Sequence, residues 1–141
     1  MRRISLIGLL SFLLSTSGMS QTSSQVNIPV HEENKTGIMV TSDEPQFVIK
    51  LKSNPTTGYS WFLREYPASL IQPVKHEFER STDKKLIGAP TYEVWTFLAK
   101  PAAFKVPQQA LMRFVYARPW EGSDQGKQLV FRISMVEKIQ K

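Results

Sequence analysis

Short apolar alternations, broken by turn formers every ~8–12 residues, leave this chain few folds to choose from. Phe47, Ile49 and Leu51 interleave with Val48, Lys50 and Lys52. Tyr92, Val94, Thr96 and Leu98 alternate with Glu93, Trp95, Phe97 and Ala99, a strand apolar on both faces near its centre. Leu129, Phe131, Ile133 and Met135 alternate with Val130, Arg132, Ser134 and Val136. Tyr59 to Leu63, Ile71 to Phe78 and Leu111 to Ala117 extend the series. An earlier strand is expected within Gln25 to Thr41, broken at Pro29 or near Asn34. Past the N-terminal apolar run, no helical period is sustained. About seven such strands predict an all-β fold, an immunoglobulin-like antiparallel β-sandwich.

Counting from the strand before Asp43, the connections fall at 42–45, 53–58, 65–69, 79–90, 100–109 and 118–127. Successive connections of an antiparallel sandwich alternate between its two ends. The second, fourth and sixth therefore share one end, where loops on a rigid scaffold commonly carry function.

The first residues stand apart. Arg2 and Arg3 precede an apolar run, Ile4 to Leu14, followed by small polar residues. That order describes a secretory signal peptide, and the run is shorter than the ~20 residues that span a bilayer. We expect residues 1–20 to be the signal, cut after Ser20 or earlier near Ser17, and residues 21–141 to form one domain, exported to a periplasm or secreted. No Cys follows the apolar run, which excludes a lipid-anchored lipoprotein. Losing residues 1–20 removes two of 18 Lys+Arg and none of 12 Asp+Glu, so net charge falls from +6 to +4. That balance is too modest to argue for nucleic acid, and no basic cluster interleaved with aromatics is present. The chain has no cysteine, so thiol nucleophiles, thiolate metal sites and disulfides are excluded. Residues 21–25 read as a polar lead-in.

Each of the three loops has a plain structural reading. In Asn54-Pro55-Thr56-Thr57-Gly58, Pro55 fixes φ, Asn54 can bond its own backbone, and Gly58 can take positive φ, which suits an ordinary turn. Arg118-Pro119-Trp120 offers the residue types enriched at binding hot spots. Alternatively, Trp120 caps the open end of the core with Arg118 stacked on it. Leu86-Ile87-Gly88-Ala89-Pro90, after Lys84 and Lys85, suggests either an apolar tip or a flexible connector.

Together, "NPTTGY" after a strand, "LIGAPTYEVW" in the fourth connection and "YARPWEG" in the sixth resemble the chagasin family of cysteine protease inhibitors. The resemblance covers about residues 37–137. It implies an immunoglobulin-type sandwich that blocks papain-like (clan CA) cysteine peptidases with these loops. The implied protease-binding residues are Asn54, Pro55, Thr56, Thr57, Gly58, Tyr59, Leu86, Ile87, Gly88, Ala89, Arg118, Pro119 and Trp120, with Thr56 nearest the catalytic Cys. The family's middle loop commonly runs Gly-X-Gly-Gly. Here Pro90 and Thr91 replace the later glycines, and Pro90 has no N–H and cannot take positive φ, so the loop differs in shape just past its tip.

No enzyme is expected. The two histidines sit beside acids, His31 next to Glu32 and Glu33, His76 next to Glu77. A solvated histidine among charges is commoner than a metal or acid–base site built from so few groups. No cofactor, metal or nucleic-acid partner is expected, no membrane association after signal removal, and the domain should be a monomer. The rival reading is an exported binding or adhesion module without inhibitory activity, with Trp61, Trp95 and Trp120 as a sugar platform. Alternation places Trp61 and Trp95 in mid-strand, which favours packing for both.

Overall fold

The computed structural model describes residues 27–80, 90–122 and 125–139. Eight strands follow in order: β1 (Val30–Glu32), β2 (Gly37–Thr41), β3 (Gln46–Ser53), β4 (Ser60–Glu65), β5 (Ile71–Arg80), β6 (Thr91–Ala99), β7 (Gln108–Ala117) and β8 (Lys127–Val136). They form two four-stranded sheets, β1-β3-β6-β5 and β2-β8-β7-β4. The sandwich and the strand positions agree with the pattern of alternation.

Two details differ from an antiparallel, seven-stranded expectation. The segment before Asp43 is two strands, and β1–β3 and β2–β8 are parallel pairs. The cause is a tight turn at residues 33–36, closed by Lys35 N–H donating to Glu32 O at 3.0 Å. The chain rises along β3 as β1, reverses near Asn34, and descends along β8 as β2. One short segment thus adds an edge to each sheet. A parallel edge needs no extra turn chemistry, so alternation alone does not announce it.

The core lies between the sheets. Phe47, Ile49 and Leu51 of β3 and Phe97 and Ala99 of β6 face Trp61, Met112, Phe114, Phe131, Ile133 and Met135, all buried. Its centre is aromatic: Phe47 stacks on Phe97 at 5.4 Å, Phe97 meets Phe114 edge-on at 6.3 Å, and Phe114 meets Phe131 edge-on at 5.8 Å. Such offset and edge-on pairs are the favoured geometries for aromatic quadrupoles. Trp61 and Trp95 both pack in the interior, with Trp95 edge-on to Phe114 at 5.6 Å.

His76 is exposed, as expected, but His31 is not the solvated side chain expected from its neighbours. The Nε2 of His31 is buried without a hydrogen-bond partner. Desolvation, helped by the nearby Lys35 charge, holds its pKa below the ordinary value of 6.5. The folded protein therefore favours the neutral ring, while the unfolded chain takes up a proton as pH falls through its ordinary value. The stability this supplies is present above that pH and lost as pH drops through the folded value. Asp43 and Glu65 are also held below their ordinary values, by hydrogen bonds from Lys138 and Arg113, but they titrate in the carboxylate range further down. We expect wild type to lose more Tm than His31→Leu between about pH 7 and about pH 5, read by calorimetry.

Candidate functional site

The loop pole is built from strand ends. In the first sheet Thr91 pairs with Ser53 on one side and Arg80 on the other. In the second, Ser60 pairs with Ala117, and Tyr116 with Lys127. The strand ends Ser53, Ser60, Arg80, Thr91, Ala117 and Lys127, which flank the three loop stretches, therefore lie at the same end, with the 33–36 turn beside them.

Asn54–Tyr59 is a rigid bend. Pro55–Thr57 make a single 3-10 turn, with Thr57 N–H donating to Asn54 O (3.2 Å) and Gly58 N–H to Pro55 O (3.1 Å). Gly58 closes it at φ 79°, in the left-handed region that glycine adopts without steric cost. Asn54 bonds the turn differently from the expected self-contact: its Oδ1 accepts from the Thr56 hydroxyl at 2.6 Å, and its carbonyl from the Thr57 hydroxyl at 2.6 Å. Both threonine protons are thus committed inside the loop, while the residues themselves are exposed.

Arg118 ties this bend to the last loop. Its Nε donates to Thr57 O at 3.1 Å and its Nη1 to Glu121 Oε1 at 3.2 Å. The guanidinium lies 4.6 Å from the Tyr59 ring centre and 5.9 Å from that of Trp120. Trp120 is 74% exposed, yet one edge of its ring sits on Gly58. A methyl group at Gly58 would stand 3.1 Å from the Trp120 Cη2 and would demand an unfavourable positive φ. Gly58→Ala should therefore cost about 1 kcal/mol of stability and displace the indole, measurable as a Trp fluorescence shift alongside Tm.

The sequence reading missed Tyr116 and Glu93. Tyr116 shares the inward face of β7 with Met112 and Phe114. Its ring stacks between Tyr59 (5.3 Å) and Trp61 (4.9 Å), and its hydroxyl accepts from Asn54 N–H at 2.8 Å. Alternation could have placed its ring inward near the pole, but not its hydroxyl under Asn54, sixty-two positions away. Glu93, on β6, points into the sandwich and is fully buried. Nothing in "TYEVW" distinguishes it from a surface acid.

Of the candidates read from sequence, Asn54, Pro55, Thr56, Thr57, Gly58 and Tyr59 come together with Arg118, Pro119 and Trp120. Tyr59 is half-buried beneath Arg118, whereas Pro119 and Trp120 are exposed. Leu86, Ile87, Gly88 and Ala89 lie outside the described residues. The whole constellation offers a narrow, stiff ridge with one aromatic at its side. It contains no nucleophile–base pair, and among the described residues no group of three or more His, Asp or Glu side chains is placed to hold a metal ion.

Among solved structures, the chain is similar to the cysteine protease inhibitor EhICP2 from Entamoeba histolytica, at 19% identity and a TM-score of 0.61, over 77% of this chain and 95% of that one. A second match is the solution structure of amebosin, at 19% identity and a TM-score of 0.48, over 79% of this chain and 98% of that one. No curated protein matches the sequence. A family model described as chagasin family peptidase inhibitor matches residues 41–135, from the end of β2 to β8 and so across all three loops. The chain belongs to the chagasin family of peptidase inhibitors.

Proposed function

We propose that this protein is a reversible, tight-binding inhibitor of papain-like cysteine peptidases that plugs the active-site cleft with the loop pole. The observation that carries the reading is the fusion of two loops into one ridge, through Arg118 on Thr57 O and Trp120 on Gly58. The chagasin-family match and the likeness to a cysteine protease inhibitor support the target class.

The geometry suits inhibition better than cleavage. A papain-like cleft holds a Cys–His pair at its floor and attacks a carbonyl offered at ~3 Å in extended chain. The 3-10 turn at Pro55–Thr57 ties up the Asn54 and Pro55 carbonyls, which accept from the Thr57 and Gly58 N–H groups, and offers no extended scissile bond. Thr56 and Thr57 present small exposed side chains for entry between the catalytic groups. Their hydroxyl protons are taken by Asn54, so they meet the enzyme as acceptors. Trp120 lies along the cleft's flank, where its face stacks on an enzyme aromatic. Arg118 braces the ridge.

Three loops of this size bury about 800 Å² per partner, the standard size for a protease–inhibitor interface. Because the ridge is held before binding, little ordering entropy opposes it, which favours nanomolar affinity.

Residues 1–20 act as the export signal in this reading, and residues 21–141 work outside the cytoplasm as a monomer. An edge strand that is bulged between Pro73 and Lys75 and lined by Lys75, Glu77, Glu79 and Arg80 resists pairing with a second copy.

The test is a set of progress curves of the 21–141 protein against papain and a cathepsin-type enzyme. Reversible inhibition at nanomolar concentration is expected, with loss of binding when a bulky adduct occupies the enzyme's thiol. No inhibition at micromolar concentration, or binding indifferent to the adduct, overturns the reading in favour of a non-inhibitory binding module.

A further inference from the structure

We propose that Glu93 is a positioning residue: a buried carboxyl group that fastens both roots of the Asn54–Tyr59 loop to one point and so fixes the ridge for binding. This rests on the inhibitory reading above but concerns a residue outside the three loops.

Beyond Glu93 the inward face of β6 is apolar: Trp95, Phe97 and Ala99 follow it along the strand. A carboxyl group in that position is 0% exposed and expensive to desolvate unless its oxygens are bonded. Three donors and a histidine ring nitrogen meet it. Oε1 accepts from Ser53 Oγ (2.7 Å), Ser60 Oγ (3.0 Å) and Trp61 N–H (3.0 Å). Oε2 lies 3.0 Å from His76 Nε2, whose ring stacks flat on Trp95 with centroids 3.8 Å apart.

The identity of those partners gives the group its meaning. Ser53 ends β3 and Ser60 and Trp61 begin β4, so the residues on either side of the 54–59 loop converge on a single oxygen. Ser53 and Ser60 belong to opposite sheets, and β3 and β4 do not pair with each other. Two other bonds help to hold these roots, Trp61 Nε1 donating to Lys52 O at 2.9 Å and Asn54 N–H to the Tyr116 hydroxyl at 2.8 Å, but among the described residues only Glu93 binds the residues that end β3 and begin β4 through one oxygen. His76 lies on β5, which leads into the 81–90 connection, and Glu93 itself stands just beyond that connection. The same carboxyl group therefore also ties β5 to the point where the roots of the 54–59 loop meet.

Glu93→Leu leaves Ser53, Ser60, the Trp61 N–H and His76 without their common partner, so a loss of stability is expected in any case. A role in stability alone would leave this variant impaired only in step with its Tm, whereas a positioning role predicts additional loosening confined to the pole. Glu93→Gln is the conservative rescue: its amide oxygen keeps the three donors, and its NH2 can donate to an unprotonated His76 Nε2. Met135→Ala, a buried core change at the opposite end, is the stability control.

The experiment reads two quantities on each protein: hydrogen exchange at the Thr57 and Gly58 amides in the free protein, and the inhibition constant for papain. Relative to Met135→Ala, Glu93→Leu should exchange at least about tenfold faster at those amides and inhibit at least about tenfold more weakly, while Glu93→Gln stays within about threefold of wild type. The proposal is overturned if Glu93→Leu matches the control in exchange, if Met135→Ala weakens inhibition equally, or if exchange quickens with inhibition unchanged. Should Glu93→Leu fail to fold, the Ser53→Ala/Ser60→Ala double variant carries the same expectation, and unchanged exchange there overturns the proposal. If wild type does not inhibit papain, the inhibitory reading falls, and amide exchange alone decides whether Glu93 holds the loop.

Discussion

Trp120→Ala should weaken inhibition of papain by about 30-fold or more, ~2 kcal/mol of binding, while leaving Tm within about 2 °C of wild type. The two halves of that result have separate causes. With 74% of its surface exposed, the indole contributes little to the core, so its removal opens no cavity. At an interface the same side chain is a large, rigid aromatic with few torsions to freeze, already seated against Gly58 before the enzyme arrives. A Trp120→Ala protein that inhibits as well as wild type would remove the anchor from the proposed mode of binding. Inhibition and melting curves on one preparation decide it.

Phe114→Ala should do the reverse, costing about 3–5 kcal/mol of folding stability with little change in the inhibition constant of the molecules that remain folded. Phe114 is fully buried on β7 and meets Phe97 and Trp95 of the facing sheet and Phe131 of its neighbour, all edge-on. Truncation empties the point where the sheets lock together, and rings fixed on two other strands, β6 and β8, cannot collapse to fill it. For a domain of this length the loss corresponds to a fall in Tm on the order of 10–20 °C. A fall of only a few degrees would mean that the core repacks and that this aromatic centre is not what joins the sheets. The contrast between the two variants separates affinity, carried by an exposed ring, from stability, carried by a hidden one.

The strands and the loop pole were legible because each depends on local pattern. Phe47-Val48-Ile49-Lys50-Leu51 reads as a strand with one buried face, and Pro55 with Gly58 reads as a bend whatever surrounds it. The shared end of the 54–58 and 118–120 stretches followed from counting reversals, and the bond from Arg118 to Thr57 O agrees with that count. The parallel edges were not legible, since the residues of β1 and β2 are the same ones an antiparallel edge would use. Tyr116 and Glu93 were hidden for a related reason. Whether a tyrosine hydroxyl or an acid is a surface group or a buried fastener depends on partners 17 to 62 positions away in sequence.

By itself, the order of apolar and polar residues determined a sandwich of short strands, its turn positions and the three stretches worth watching, because strand period and turn chemistry act over a few residues. Tertiary structure alone decided which oxygen sits under which amide: that Tyr116 caps Asn54, that Arg118 and Trp120 close over Gly58, and that Glu93 gathers both roots of the bend. Hydrogen bonds and ring contacts are set to within fractions of an ångström by the packing of both sheets at once, and no local stretch of chain contains that information.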